Sequence, residues 1–146
     1  MPRHAAARRP PPSPLLGVVP FDPERLDVYD AVTQFHRVTA VLPGGRGAEA
    51  LREELDRASR SVLFNVAEAA NRPLAEDRAR FDARARACAQ DCAALVDRLR
   101  AHGFIAPDRA ARARSLMVRA ARMLTGLARR WRQRGGAPRR TGWPRR

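Results

Sequence analysis

Leu116-Met117-Val118-Arg119-Ala120-Ala121-Arg122-Met123-Leu124-Thr125-Gly126-Leu127-Ala128-Arg129-Arg130-Trp131 carries two patterns at once. At 100° per residue, Leu116, Met117, Ala120, Met123, Leu124, Leu127 and Trp131 gather on one side, the signature of an amphipathic helix. Arg119, Arg122 and Arg129 point the other way. The helical pattern extends over about 107–134 and needs partners to bury its apolar stripe.

Three such partners precede it. Residues 73–102 place Leu74, Phe81, Ala85, Cys88, Cys92, Leu95 and Leu99 on one face. Glu76 and Asp77 in the first turn and His102 in the last complement the helix dipole, and Gly103 suits the position just past the end. Residues 48–71 carry Leu51, Leu55, Ala58, Val62, Val66 and Ala69. Residues 23–42 carry Val28, Tyr29, Val32, Phe35, His36, Thr39 and Leu42, with Asp22 as a cap and Pro23 in the first turn. Pro43-Gly44-Gly45-Arg46-Gly47 stops this helix. Loops of about one to five residues make consecutive helices antiparallel neighbours. The expected fold is all-α, an antiparallel up-down-up-down four-helix bundle over 21–134.

Outside it, residues 1–20 hold six Pro, three Arg and no acid, and read as a flexible, polyproline-like basic arm. Residues 135–146 read as a second disordered, Arg-rich tail. The whole chain of 146 residues has 29 basic and 15 acidic side chains. Every basic one is Arg. Leu, Ile, Val and Phe make up 29 residues, a share low enough, at this charge, to border on disorder. GC-rich codon usage also yields Arg, Ala and Pro, but it does not remove Asp or Glu. After Asp108 there is no acid, while 13 Arg follow.

Several classes are excluded. No apolar run approaches the roughly 18 residues of a membrane span. The prolines near the N-terminus break any signal-peptide core. Two Cys do not build a disulfide framework. The expected location is the cytoplasm, with no membrane partner. Cys88 and Cys92, one turn apart on the apolar face, read as core residues; as metal ligands they would need two more partners. Di-iron bundles use Glu-x-x-His, but Thr33 and Leu99 stand three before His36 and His102. No phosphate-binding or nucleophile-elbow motif occurs. No enzyme activity, small-molecule substrate, metal or cofactor is expected.

Ser61, Asn65 and Glu68 line one edge of the second helix. No His or Lys is arranged to work with Glu68, so this edge reads as a hydrogen-bonded network at a helix or subunit boundary. Leu63 and Phe64 lie about 80° and 180° from the centre of that helix's stripe. Leu26 and Val41 are likewise off the stripe of the first. A second apolar face suggests a partner surface, and Leu63 and Phe64 are its candidate residues.

Arg114, Arg119, Arg122, Arg129 and Arg132 cover the outer face of the last helix. Arg130, Arg134, Arg139, Arg140, Arg145 and Arg146 continue beyond them, interleaved with Trp131 and Trp143. Guanidinium groups pair with phosphate and stack on bases, so these residues, with Trp143 free to stack, are the candidate contacts to RNA or DNA. Trp131 is expected to close the bundle end instead.

Ser61-Val62-Leu63-Phe64-Asn65-Val66-Ala67-Glu68-Ala69 is also the most specific stretch of the chain. With Arg122-Met123-Leu124-Thr125-Gly126-Leu127, Leu26-Asp27-Val28-Tyr29 and Arg80-Phe81 followed by Ala85, Cys88 and Asp91, it resembles a bacterial four-helix-bundle family. That family includes proteins encoded in large-subunit ribosomal RNA intervening sequences and the accessory variability proteins of diversity-generating retroelements. Its usual Ser-Ile-Pro-Leu-Asn-Ile-Ala-Glu-Gly aligns with Ser61, Asn65, Val66, Ala67 and Glu68. Here Leu63 replaces the frequent Pro, Ala69 the Gly, and Thr125 the Asn before Gly126. The resemblance covers about residues 25–130. It implies a homopentamer and, for the retroelement branch, RNA or DNA binding beside a reverse transcriptase. The alternative is a homo-oligomeric protein-interaction scaffold with no nucleic-acid role.

Overall fold

The computed structural model describes residues 23–40, 42 and 45–135. The arm 1–20, Val41 and the tail from residue 136 lie outside them. The described chain forms four helices, α1 (Pro23–Thr39), α2 (Ala48–Asn71), α3 (Ala75–Ala101) and α4 (Pro107–Gly135). Each packs on its two neighbours around a ring, most extensively α3 on α4 and least α1 on α2; across the diagonals the backbones stay apart, and α1 reaches α3 through side chains. Arg25 of α1 bonds to the Val66 carbonyl of α2 and to Asp82 of α3, and Arg130 of α4 reaches Glu24. The start of α1, the end of α2, the start of α3 and the end of α4 therefore share one end of the molecule. This is the antiparallel up-down-up-down bundle.

The boundaries follow local chemistry. α1 ends at Thr39 rather than at residue 42, because Leu42 precedes Pro43 and a residue before proline disfavours the α conformation. Leu42 is nonetheless buried. The same rule keeps Arg72 extended before Pro73, so α3 begins at Ala75 instead of residue 73, and Leu74 caps it from an exposed position off the expected stripe. α3 stops on the expected glycine. Gly103 has φ +74°, its N–H donates to Arg100 O, and Phe104 N–H donates to Leu99 O. This double bond pattern needs a left-handed residue after the cap, which glycine adopts without strain.

Phe35, Leu99, Met117, Leu124, Leu127 and the valines 28, 32, 62, 66 and 96 fill the interior. Of the 29 buried apolar residues described, 13 are Ala. A count of Leu, Ile, Val and Phe therefore understates this core, which gains its burial by close backbone approach rather than by bulk. Two stripes are rotated from expectation. Tyr29 faces solvent and Arg25 faces inward on α1; on α3, Asp82 and Ala89 are interior, while Phe81 and Cys88 are only half-buried.

The cause is a buried ion pair. Arg25 Nη1 and Nη2 donate to Asp82 Oδ1 and Oδ2 at 2.6 and 2.9 Å, with both side chains 1% exposed or less. The guanidinium also donates to Val66 O. Charges so buried are stable only when paired and hydrogen-bonded. Satisfying this pair turns Arg25 and Asp82 inward and carries the helix faces with them.

Candidate nucleic-acid interface

α4 runs unbroken for 29 residues and its inner face is mostly Ala, Met and Leu. What remains outside is arginine. Arg119, Arg122, Arg129, Arg132 and Arg134 are exposed and, among the described residues, make no ion pair. Two of the expected contacts are engaged elsewhere. Arg114 donates to Asp97 of α3 at 3.2 Å and Arg130 to Glu24 of α1 at 2.8 Å. Both pairs are about half exposed, where such bridges are weak, so a phosphate can compete for either guanidinium. Arg139, Arg140, Trp143, Arg145 and Arg146 lie outside the described residues.

Trp131 does close the end of the bundle. Its half-buried ring has the guanidinium of Arg78 4.5 Å and that of Arg134 5.0 Å from its centroid. Phe81 likewise has those of Arg72 at 4.6 Å and Arg84 at 5.1 Å. Stacked guanidiniums on ring faces are favourable contacts that restrict long, mobile side chains. The arginines of α3 were no part of the sequence-based candidate set. Their signal was present, at residues 78, 80, 84 and 86, but it was hidden by counting charge along the chain. Counted by helix pair, the molecule is two-sided. Residues 75–135 hold 15 Arg and six acids, whereas residues 23–72 hold seven Arg and eight acids.

The α1–α2 side carries exposed apolar residues. Leu26, Tyr29 and Phe64 are 55%, 43% and 64% exposed. His36 of α1 meets Ser59 of α2 across the seam, Nε2 to Oγ at 2.8 Å. Tyr29 lies two turns before His36 and Leu63 one turn after Ser59, so in antiparallel helices both lie on the same side of that bond, toward the end of the bundle where α1 starts. Phe64 follows Leu63 on α2 and faces outward. Leu63 itself is half-buried against the bundle's own core, so Phe64 is the more available of the two expected interface residues.

Ser61, Asn65 and Glu68 do not build a network between helices. Ser61 Oγ donates to Arg57 O, Asn65 Nδ2 to Ser61 O, and Glu68 accepts from Arg72 at 2.6 Å. All three bonds stay within α2 or at its end, because this edge faces outward rather than toward another helix. Gly126 is exposed on α4, and a Cβ there would meet nothing within 4 Å. Nothing in the single bundle requires it.

His36 sits in a groove of about 690 Å³ lined also by Glu49, Arg52, Glu53, Asp56 and Arg60. Burial lowers its pKa, against a smaller opposing pull from Asp56. Both cysteines are free thiols. Burial pushes Cys92 up to about 12 and Cys88 in the same direction, so neither is poised as a nucleophile. Among the described residues, no three His, Cys, Asp or Glu gather as a metal-holding group, and no helix is long and apolar enough to cross a membrane.

No family model matches the chain, and no curated protein matches it.

Proposed function

We propose that this protein binds RNA or DNA without catalysing a reaction, through the arginine surface of α4 and the basic segment that follows it. The observation that carries this reading is the segregation of charge, which concentrates arginine on α3 and α4 and leaves α1 and α2 nearly balanced. A field of one sign on one face steers a polyanion and releases its counterions on binding. Arginine is the residue suited to that task, because its fork matches a phosphate and its plane stacks on a base. The protein acts as an accessory factor in the cytoplasm, of the kind encoded in ribosomal RNA intervening sequences or beside a retroelement reverse transcriptase. It assembles as a homo-oligomer, a pentamer by that resemblance, through the α1–α2 face.

Binding measured against salt tests the reading. Affinity for single-stranded RNA or DNA should fall steeply as salt rises, and removal of residues 136–146 should weaken it. A cut before residue 136 spares Trp131 and the Arg130–Glu24 pair, so the bundle stays closed. Affinity that is flat with salt would overturn the proposal.

The exposed Leu26, Tyr29 and Phe64 favour a second reading, a homo-oligomeric scaffold that docks a protein. It expects assembly to depend on Phe64 while added RNA changes nothing.

A further inference from the structure

The start of α3 and the end of α4 enclose a pocket of about 310 Å³ lined by Glu76, Ala79, Arg80, Arg132 and Gly135. Gly135 belongs to it because α4 runs on beside α3. A Cβ on Gly135 would lie 3.8 Å from Ala75 Cβ and 3.9 Å from the Glu76 nitrogen. Two guanidinium groups from different helices thus converge on one depression.

The bundle does not need these two arginines for its own stability. Arg132 makes no ion pair among the described residues. Arg80 is 62% exposed and reaches Glu76 at 3.5 Å and Asp77 at 4.0 Å, long separations for ion pairs at the surface, where such pairs contribute little. Glu76 itself is 82% exposed. Nearby, the rings of Phe81 and Trp131 hold Arg84 and Arg134 in place.

We propose that this pocket seats a phosphodiester of a bound nucleic acid. Arg80 and Arg132 grip it from opposite helices, Arg84 and Arg134 meet the flanking phosphates, and Glu76 is the competitor that the phosphate displaces from Arg80. The proposal deepens the nucleic-acid reading and rests on it. Bidentate guanidinium–phosphate pairing is stronger and more directional than the long Glu76 contact it replaces. Arg132 also belongs to the exposed arginine row of α4, which suits a polymer passing across the pocket rather than a single small anion.

The test uses the full chain and a labelled oligonucleotide of about 20 residues, as single-stranded RNA, single-stranded DNA and duplex DNA, over a salt series. Arg80→Ala and Arg132→Ala should each weaken binding about three- to tenfold, and each should flatten the log–log salt slope on single strands by about 0.7. Glu76→Gln should tighten binding about two- to fivefold, a gain that damage to the fold would not produce. Arg57→Ala, exposed on α2, should leave affinity unchanged. If the three pocket variants bind like the parent while Arg119→Ala and Arg122→Ala weaken binding, the pocket is overturned and the broader reading stands. If Arg57→Ala costs as much as Arg80→Ala, binding is diffuse and the pocket is again overturned. A parent chain that binds none of the probes at low salt overturns both.

Discussion

Arg25 and Asp82 are the residues on which the packing of this bundle turns, and neither stands out in the sequence. Arg25 is one of 29 arginines. Asp82 interrupts an otherwise apolar set, Ala79, Ala85 and Ala89, and so looks like a break in the stripe rather than part of it. Their bidentate, fully buried pair makes a sharp prediction. Asp82→Ala removes the carboxylate that neutralises the buried Arg25 charge, and should destabilise the fold by about 3–5 kcal/mol. The double variant Arg25→Met, Asp82→Leu should recover most of that loss, because it removes both charges together. Denaturant titration of the single and double variants checks this; a single variant as stable as the parent would deny the pair its role. Tyr29 and Phe81 show the same limit at smaller scale. Each was placed on its helix's buried stripe by angle alone, yet Tyr29 is exposed and Phe81 only half-buried.

At the scale of elements, the periodicity located all four helices, with differences of one to three residues at some ends. Prolines, glycines and capping chemistry act over a few residues, so these ends were legible locally. What periodicity could not show is that α1 and α2 are the loosest neighbouring pair. Their seam is pinned by the His36–Ser59 hydrogen bond, which carries a pH dependence. Burial lowers the His36 pKa below the ordinary 6.5, so the unfolded chain takes up a proton at a pH where the folded one does not. Stability from this group is complete above about 6.5 and declines as pH falls through 6.5 toward the lowered value. The melting temperature should therefore drop between about pH 7 and pH 5, and His36→Gln should lessen the drop. Equal slopes in the two proteins would remove His36 as the cause.

For the whole molecule, the charge reads differently in three dimensions than along the chain. Along the chain the charge put the candidate interface on the last helix and the tail that follows it. Folding sets α1–α2 opposite α3–α4 and turns a small net charge into a contrast between two faces. The candidate nucleic-acid surface thereby gains α3, with Arg80 and Arg84, and the opposite face presents Leu26, Tyr29 and Phe64. If that apolar face holds copies together, the parent should exceed the 16.3 kDa of one chain in light scattering. Phe64→Asp should reduce it to a monomer with unchanged helix content, since a residue 64% exposed contributes little to its own bundle. A parent that is monomeric at every concentration would overturn the assembly.

The sequence by itself determined the four helices, their antiparallel order and the basic outer face of α4. These depend on spacing, caps and short loops, which are local properties. Only the tertiary structure decided which arginines lie on one surface, which polar pair is buried, and which apolar residues are left uncovered. Those depend on how helices far apart in the chain rotate against one another. That rotation is set by satisfying Arg25 with Asp82 across 57 residues and by the close approach that alanine permits, neither of which any single helix encodes.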